Sequence, residues 1–181
     1  LTPECDFPAD IIQEKDGTLT FILDTNEVKT NSHNFSFLKN CIAVSVVSIT
    51  LGLNAKSINE RLKSFLPPEG RCYVTIINEI TIIDDTYNAN LTSTIAALEY
   101  LNAFSNEGRK IFVFGDMLEL GNASKDQHTV VGKKCSSFKI DIVYTIGAHT
   151  IITDSHISKN IVHKHFETKN LLIDTLKNTI Q

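Results

Sequence analysis

From Asn90 onward the sequence alternates between short, strongly apolar runs and longer segments of helical periodicity, and this alternation restricts the fold more than any other feature. The pattern predicts a helix from about Thr92 to Phe104, a strand at Lys110 to Phe114, a helix from about Ser124 to Ser137 and a strand at Asp141 to Ile146. A further strand at Asn160 to Phe166 and a helix from Thr168 onward continue it. Strands separated by helices need crossover connections, so the expected result is a mainly parallel α/β sheet.

The sequence before Asn90 follows a different rule. Ala9 to Gln13 and Thr18 to Asp24, with Leu19, Phe21 and Leu23 alternating, read as a hairpin around Asp16-Gly17. Between Leu38 and Leu51, Ile42, Val46, Val47 and Ile49 sit among small residues and Gly52 follows as a C-cap, which favours a buried helix, although periodicity alone leaves a strand open. Asn54 or Ser57 caps a second helix, with Ile58, Leu62 and Phe65 on one side, and Pro67-Pro68 stops it. Cys72 to Ile77 and Ile80 to Asp84 then form a second hairpin around Asn78-Glu79. The change of pattern puts a domain boundary near Thr86, between residues 1–85 and 86–181.

With 181 residues, 42% of them hydrophobic, the chain can bury the core of one domain or two small ones. A net charge of -4 argues against broad attraction to nucleic acid. Cys5, Cys41, Cys72 and Cys135 are scattered, with neither the spacing of a zinc site nor the density of a disulfide framework, so they are expected to be reduced and mostly buried. The most apolar stretch, Cys41 to Leu53, is too short and too interrupted to span a bilayer, and a cytoplasmic setting fits. The chain begins at Leu1 and its one methionine is Met117, which suggests a piece of a longer protein.

Two strand ends carry the candidate chemistry, because ligands of α/β folds gather outside the carboxyl ends of strands. At the first, Asp84-Asp85-Thr86-Tyr87-Asn88-Ala89-Asn90 places two adjacent carboxylates whose side chains point to opposite faces of a strand. One of them can bind ribose hydroxyls or water-coordinated Mg²⁺, or N-cap the following helix. At the second, Gly115-Asp116-Met117-Leu118-Glu119-Leu120-Gly121 brackets Asp116 and Glu119 with glycines, offering carboxylates to an amine, a metal or a backbone. Arg71, after Gly70, can reach phosphate or lie on the surface, Asn40 can read the edge of adenine or cap a helix, and His128 can be catalytic or packed. No Gly-x-x-x-x-Gly-Lys-Ser/Thr loop and no Gly-x-Gly-x-x-Gly fingerprint occurs.

In order and spacing, Asn40, Gly70-Arg71, Asp84 to Asn90, Gly115 to Gly121, His128 and Gly132 resemble the Mur ligases. Within that family the Asp-Asp-x-Tyr-Asn-Ala-Asn and Gly-Asp-Met-x-Glu-Leu-Gly motifs resemble the member that adds D-Ala-D-Ala to UDP-N-acetylmuramoyl-tripeptide. The resemblance implies that residues 1–85 are the last part of the central ATP-binding domain and residues 86–181 most of the Rossmann-like C-terminal domain. It implies ATP and Mg²⁺ as cofactors, an acyl-phosphate route, no nucleic acid partner and a monomer. Carried over, Asn40 resembles the adenine-contacting Asn, Arg71 a nucleotide-contacting Arg and Asp85 the ribose-contacting Asp. Tyr87, Asn88 and Asn90 fall in the interdomain hinge, while Asp116, Glu119 and His128 take acceptor-side or structural roles. No metal ligand is assigned. Leu91 departs from the Pro that many relatives carry there. The missing phosphate loop implies that these residues alone do not catalyse the whole reaction.

Other readings are another Mur ligase or a folylpolyglutamate synthase-type ligase, a non-catalytic nucleotide-binding remnant, or a signalling receiver domain with Asp116 as phosphoacceptor.

Overall fold

The computed structural model describes residues 6–14, 18–32, 34–104 and 108–180. The Asp16-Gly17 turn and Cys5 lie outside them. The chain divides into two compact units, Leu1–Asp84 with Ala103–Ser105, and Asp85–Asn102 with Asn106–Gln181.

The first unit opens with an antiparallel sheet, β1 (Ala9–Gln13), β2 (Leu19–Leu23) and β3 (Asn26–Lys29), with β2 in the centre. Leu19, Phe21 and Leu23 alternate onto one face and are almost fully buried against Leu38, Cys41 and Ile42 of α1 (Phe35–Thr50). Each such side chain removed from water contributes about 1.5–3 kcal/mol. That burial overrides the low helix propensity of the β-branched residues in α1. Its ends are well satisfied. The Asn34 side chain accepts the Ser36 and Phe37 N–H groups at 2.8 and 3.1 Å. At the other end Gly52 takes a φ of +85°, its N–H reaching the Ile49 carbonyl and the Leu53 N–H the Ser48 carbonyl, the Schellman arrangement that favours glycine.

α2 (Ala55–Ser64) starts at Asn54, whose Oδ1 accepts the Ser57 N–H, and stops before Pro67. β4 (Tyr73–Ile77) and β5 (Ile80–Asp84) then form an antiparallel hairpin. Its two turn residues, Asn78 and Glu79, both have positive φ, 48° and 64°, which matches the right-handed twist of the flanking strands.

In the second unit α3 (Leu91–Ala103) precedes β6 (Ile111–Gly115), α4 (Ser124–Cys135), β7 (Ile142–Ile146), α5 (Thr150–Ser155), β8 (Val162–Phe166) and α6 (Lys169–Thr179). The three strands are parallel in the order β6-β7-β8, as the alternation requires. β7 is central and covered on both faces. Val143 packs with Leu98, Phe114, Met117, Val131 and Cys135 on one face, while Ile142 and Tyr144 meet Phe166 and Leu172 of α6 on the other.

Two elements were not expected. β3 is a short, charged edge strand, and α5 is a six-residue helix rich in β-branched residues. Burial pushes the Cys41 thiol up to about 11 and the Cys135 thiol up to about 12, as desolvation disfavours thiolate. Cys72 is half-buried.

Candidate functional site

At the first strand end the capping expectation needs correction. The N-cap of α3 is Asn90, not Asp84 or Asp85: Asn90 Oδ1 accepts the Ser93 N–H at 3.0 Å and Ser93 Oγ accepts the Asn90 N–H at 3.0 Å. This reciprocal pair satisfies two groups that a helix start otherwise leaves open. Leu91 is therefore the first helical residue, a position where a proline would cost no hydrogen bond. The carboxylate of Asp84 instead accepts the Gly70 N–H at 3.1 Å, tying the loop that carries Arg71 to the end of β5. Asp85 is half-buried, and Tyr87 and Asn88 are exposed. The Asn88 side chain accepts the Ala89 N–H at 2.9 Å.

Asn40 lies in the second turn of α1, exposed, so capping is not its role; Asn34 does that. Arg71 is exposed after Gly70, which has a φ of +77°. A polar cleft of about 510 Å³ in the first unit is lined by Glu14, Thr20, Lys29, Thr30, Asn31 and Lys63 among others, and by none of the candidates. Its groups largely satisfy one another: Thr20 donates to Glu14 at 2.8 Å and Asn31 to the Lys63 carbonyl at 2.7 Å.

The second strand end is built more tightly. Where β6 ends, the Asp116 Oδ1 accepts the His149 and Thr150 N–H groups at 2.9 and 2.8 Å, joining the loop after β6 to the loop after β7. Of the three ligand classes open to Asp116 from sequence, the backbone is the one it meets here. Gly147, with a φ of +127°, lies directly against that carboxylate; a Cβ on residue 147 would occupy the same space.

His128 is fully buried on α4. Its Nε2 accepts the Met117 N–H at 3.2 Å, so Nδ1 carries the hydrogen and donates it to the Ser124 carbonyl at 2.8 Å. Both nitrogens are used, which fixes one neutral tautomer and makes His128 the anchor of the Gly115 to Gly121 loop. The Thr153 hydroxyl donates to the His128 carbonyl at 3.0 Å, and Gly132 allows the Thr153 carbonyl to approach α4. Glu119 is exposed with a φ of +61°, and a 3-10 turn, Gly121–Ala123, leads into α4.

The second unit thus brings Asp116 and His128 into one cluster with Met117, Gly147, His149 and Thr150. The last three had no motif to announce them; a glycine directly after an apolar strand was the available signal. Among the described residues no group of three or more His, Cys, Asp and Glu side chains gathers to hold a metal ion. Nor is any described helix long and apolar enough to cross a membrane.

A parallel sheet flanked by helices, with Asp116, His149 and Thr150 brought together at the carboxyl ends of β6 and β7, defines a domain of the α/β class. The family model for "Mur ligase, glutamate ligase domain" matches residues 70–181, and the chain belongs to the Mur ligase family. It is 34% identical over 149 residues to the UDP-N-acetylmuramoyl-tripeptide–D-alanyl-D-alanine ligase of Buchnera aphidicola, covering 82% of this chain and 31% of that protein. The fold matches a crystal structure of MurF from Acinetobacter baumannii with a TM-score of 0.84 at 27% identity, over 97% of this chain and 39% of the other. It matches the MurF ligase of Thermotoga maritima in complex with ADP with a TM-score of 0.79 at 25% identity, over 96% of this chain and 40% of that one. The chain spans about a third of the length of the curated relatives it matches. Family membership removes the receiver-domain reading of Asp116.

Proposed function

We propose that this chain is part of an ATP-dependent amide ligase of peptidoglycan assembly, which joins D-Ala-D-Ala to UDP-N-acetylmuramoyl-tripeptide. The observation that carries the reading is the pair of motifs, Asp84 to Asn90 and Gly115 to Gly121, at strand ends of a chain 34% identical to a ligase named for that reaction. Residues 1–85 are assigned to the end of the central ATP-binding domain and residues 86–181 to the C-terminal domain.

In this reading ATP supplies the phosphoryl group that turns the tripeptide's terminal carboxylate into an acyl phosphate, a form that an amine can attack. Asn40 contributes an exposed amide, with donor and acceptor together, for the adenine edge. Arg71 contributes a guanidinium suited to phosphate, in a loop held by the Asp84–Gly70 bond. Asp85 takes the ribose hydroxyls. Tyr87, Asn88 and Asn90 form the connection to α3, where Asn90 sets the start of the helix. Asp116, Glu119 and His128 belong to the acceptor side, with Asp116 and His128 shaping the strand ends. No residue is assigned to Mg²⁺. A cytoplasmic, monomeric enzyme is part of the same reading.

The 181 residues contain no phosphate loop, so the chain alone is expected not to turn over ATP. The test uses the product of the intact gene, supplied with ATP, Mg²⁺ and UDP-N-acetylmuramoyl-tripeptide. Phosphate release stimulated by D-Ala-D-Ala supports the reading. Stimulation by glutamate alone would overturn it in favour of a glutamate-adding member of the family.

A further inference from the structure

The chain turns sharply on both sides of Arg71. The Arg71 N–H donates to the Pro68 carbonyl at 3.1 Å, closing a turn whose third residue, Gly70, has a φ of +77°. This is a type II turn, and its third position favours glycine. On the other side Cys72 has a φ of +53°, a left-handed conformation that a residue with a Cβ keeps only where its surroundings hold it. One such hold comes from outside the turn: the carboxylate of Asp84 accepts the N–H of the buried Gly70 at 3.1 Å. Asp84 ends β5 opposite Tyr73, the first residue of β4, so this bond fastens the turn to the second strand of the hairpin. The Arg71 side chain is itself exposed. An arginine loses much rotamer freedom when it grips a ligand, and a fixed backbone beneath it lowers the ordering cost.

We propose that Asp84 is a positioning residue for ATP, acting through Gly70 to set the Arg71 guanidinium and making no contact with the nucleotide. The inference rests on the ligase reading above, in which Arg71 meets phosphate and Asp85 the ribose, and gives the first carboxylate of the pair its own task. A carboxylate turned toward a polyphosphate is repelled by it. Turned toward a backbone N–H it makes a charge-assisted hydrogen bond that needs no ligand. The two adjacent aspartates thus divide the work: Asp84 holds the turn that carries Arg71, and Asp85 makes the contact.

The experiment places Asp84→Ala, Asp84→Asn, Arg71→Ala and the Asp84→Ala/Arg71→Ala double variant in the product of the intact gene and measures D-Ala-D-Ala-dependent phosphate release. Asp84→Ala is expected to raise KM for ATP about tenfold, the loss of one hydrogen bond to a charged group, with kcat and the KM for D-Ala-D-Ala within about twofold. Asp84→Asn keeps an oxygen for the Gly70 N–H and should recover most of the loss. Without the Arg71 side chain there is nothing left to position, so adding Asp84→Ala to Arg71→Ala should change KM for ATP by less than about twofold. Asp84→Ser, polar but too short to reach the Gly70 N–H, makes the same comparisons should the Ala variant fail to fold. An unchanged KM for ATP in the Ala and Ser variants would overturn the role of Asp84. So would an Asn variant as impaired as the Ala variant, since the charge would then be what matters, or an equal penalty with and without Arg71. Each of these leaves the ligase reading intact. Absence of any D-Ala-D-Ala stimulation in wild type would instead remove the ligase reading, and this inference with it.

Discussion

The carboxylate of Asp116 occupies the space that a side chain on Gly147 would need. This contact explains two features of the sequence together: an aspartate directly after β6 and a glycine directly after β7. The carboxylate must come this close to accept the His149 and Thr150 N–H groups, and only a residue without Cβ at 147 permits it, at a φ of +127° that L side chains rarely adopt.

Gly147→Ala is accordingly expected to destabilise the second unit by about 3 kcal/mol, combining backbone strain with overpacking. Urea denaturation followed by far-UV circular dichroism measures it. A loss below the resolution of the method would show that the loop after β7 can relax away from Asp116.

Replacing Asp116 separates brace from charge. Asp116→Ala removes the acceptor for two N–H groups and should cost about 1–2 kcal/mol, the usual loss on removing a helix-capping side chain. Asp116→Asn keeps an oxygen at the same place and should lose clearly less, because the bonds remain but are no longer charge-assisted. Equal losses in the two variants would mean that the charge, not the acceptor geometry, matters to the fold.

His128→Ala should be more damaging, at about 3 kcal/mol, because it leaves the Met117 N–H and the Ser124 carbonyl without the ring and opens a cavity beside Phe114 and Val131. Hydrogen exchange offers a local readout: the Met117 amide should lose protection first. If that amide exchanged at the wild-type rate, the bond to Nε2 would not be its protecting partner.

Cys135 supplies a dependence on pH. Its thiol is pushed up to about 12 in the folded protein, above the ordinary value of 9.0 that it regains on unfolding. Above pH 9 the unfolded chain therefore releases a proton that the folded one keeps, and stability falls as pH rises. The full contribution is present below pH 9, and the limiting slope toward pH 12 is about 1.4 kcal/mol per pH unit for one proton. Chemical denaturation between pH 8 and 10.5 should show this slope approached in wild type and reduced in Cys135→Ala. Parallel profiles in the two proteins would assign the alkaline loss to other groups.

Much of the architecture was legible because it follows from local rules. The alternation after Asn90 implied a parallel sheet, and β6, β7 and β8 form one. Gly52 and Asn54 marked helix ends through turn and cap chemistry that operates within a few residues. The reading was less complete at two helix starts and where the partner is distant in sequence. The possible capping role of Asn40 went instead to Asn34, and that of the Asp84–Asp85 pair to Asn90, because each helix begins a few residues away from where the motif alone suggested. α5 escaped notice for a related reason. Its six residues have little helical tendency of their own, and Asp116 and His128, far back in the chain, hold its Thr150 and Thr153.

The sequence by itself determined the class of fold, the family likeness and the two motifs, since each depends on residue type and spacing along the chain. The tertiary structure decided what the motif residues touch. It made Asp116 and His128 positioning groups rather than open ones, and it placed His149 beside them, because hydrogen bonds and close packing between two parallel strand ends depend on distances that spacing along the chain does not contain.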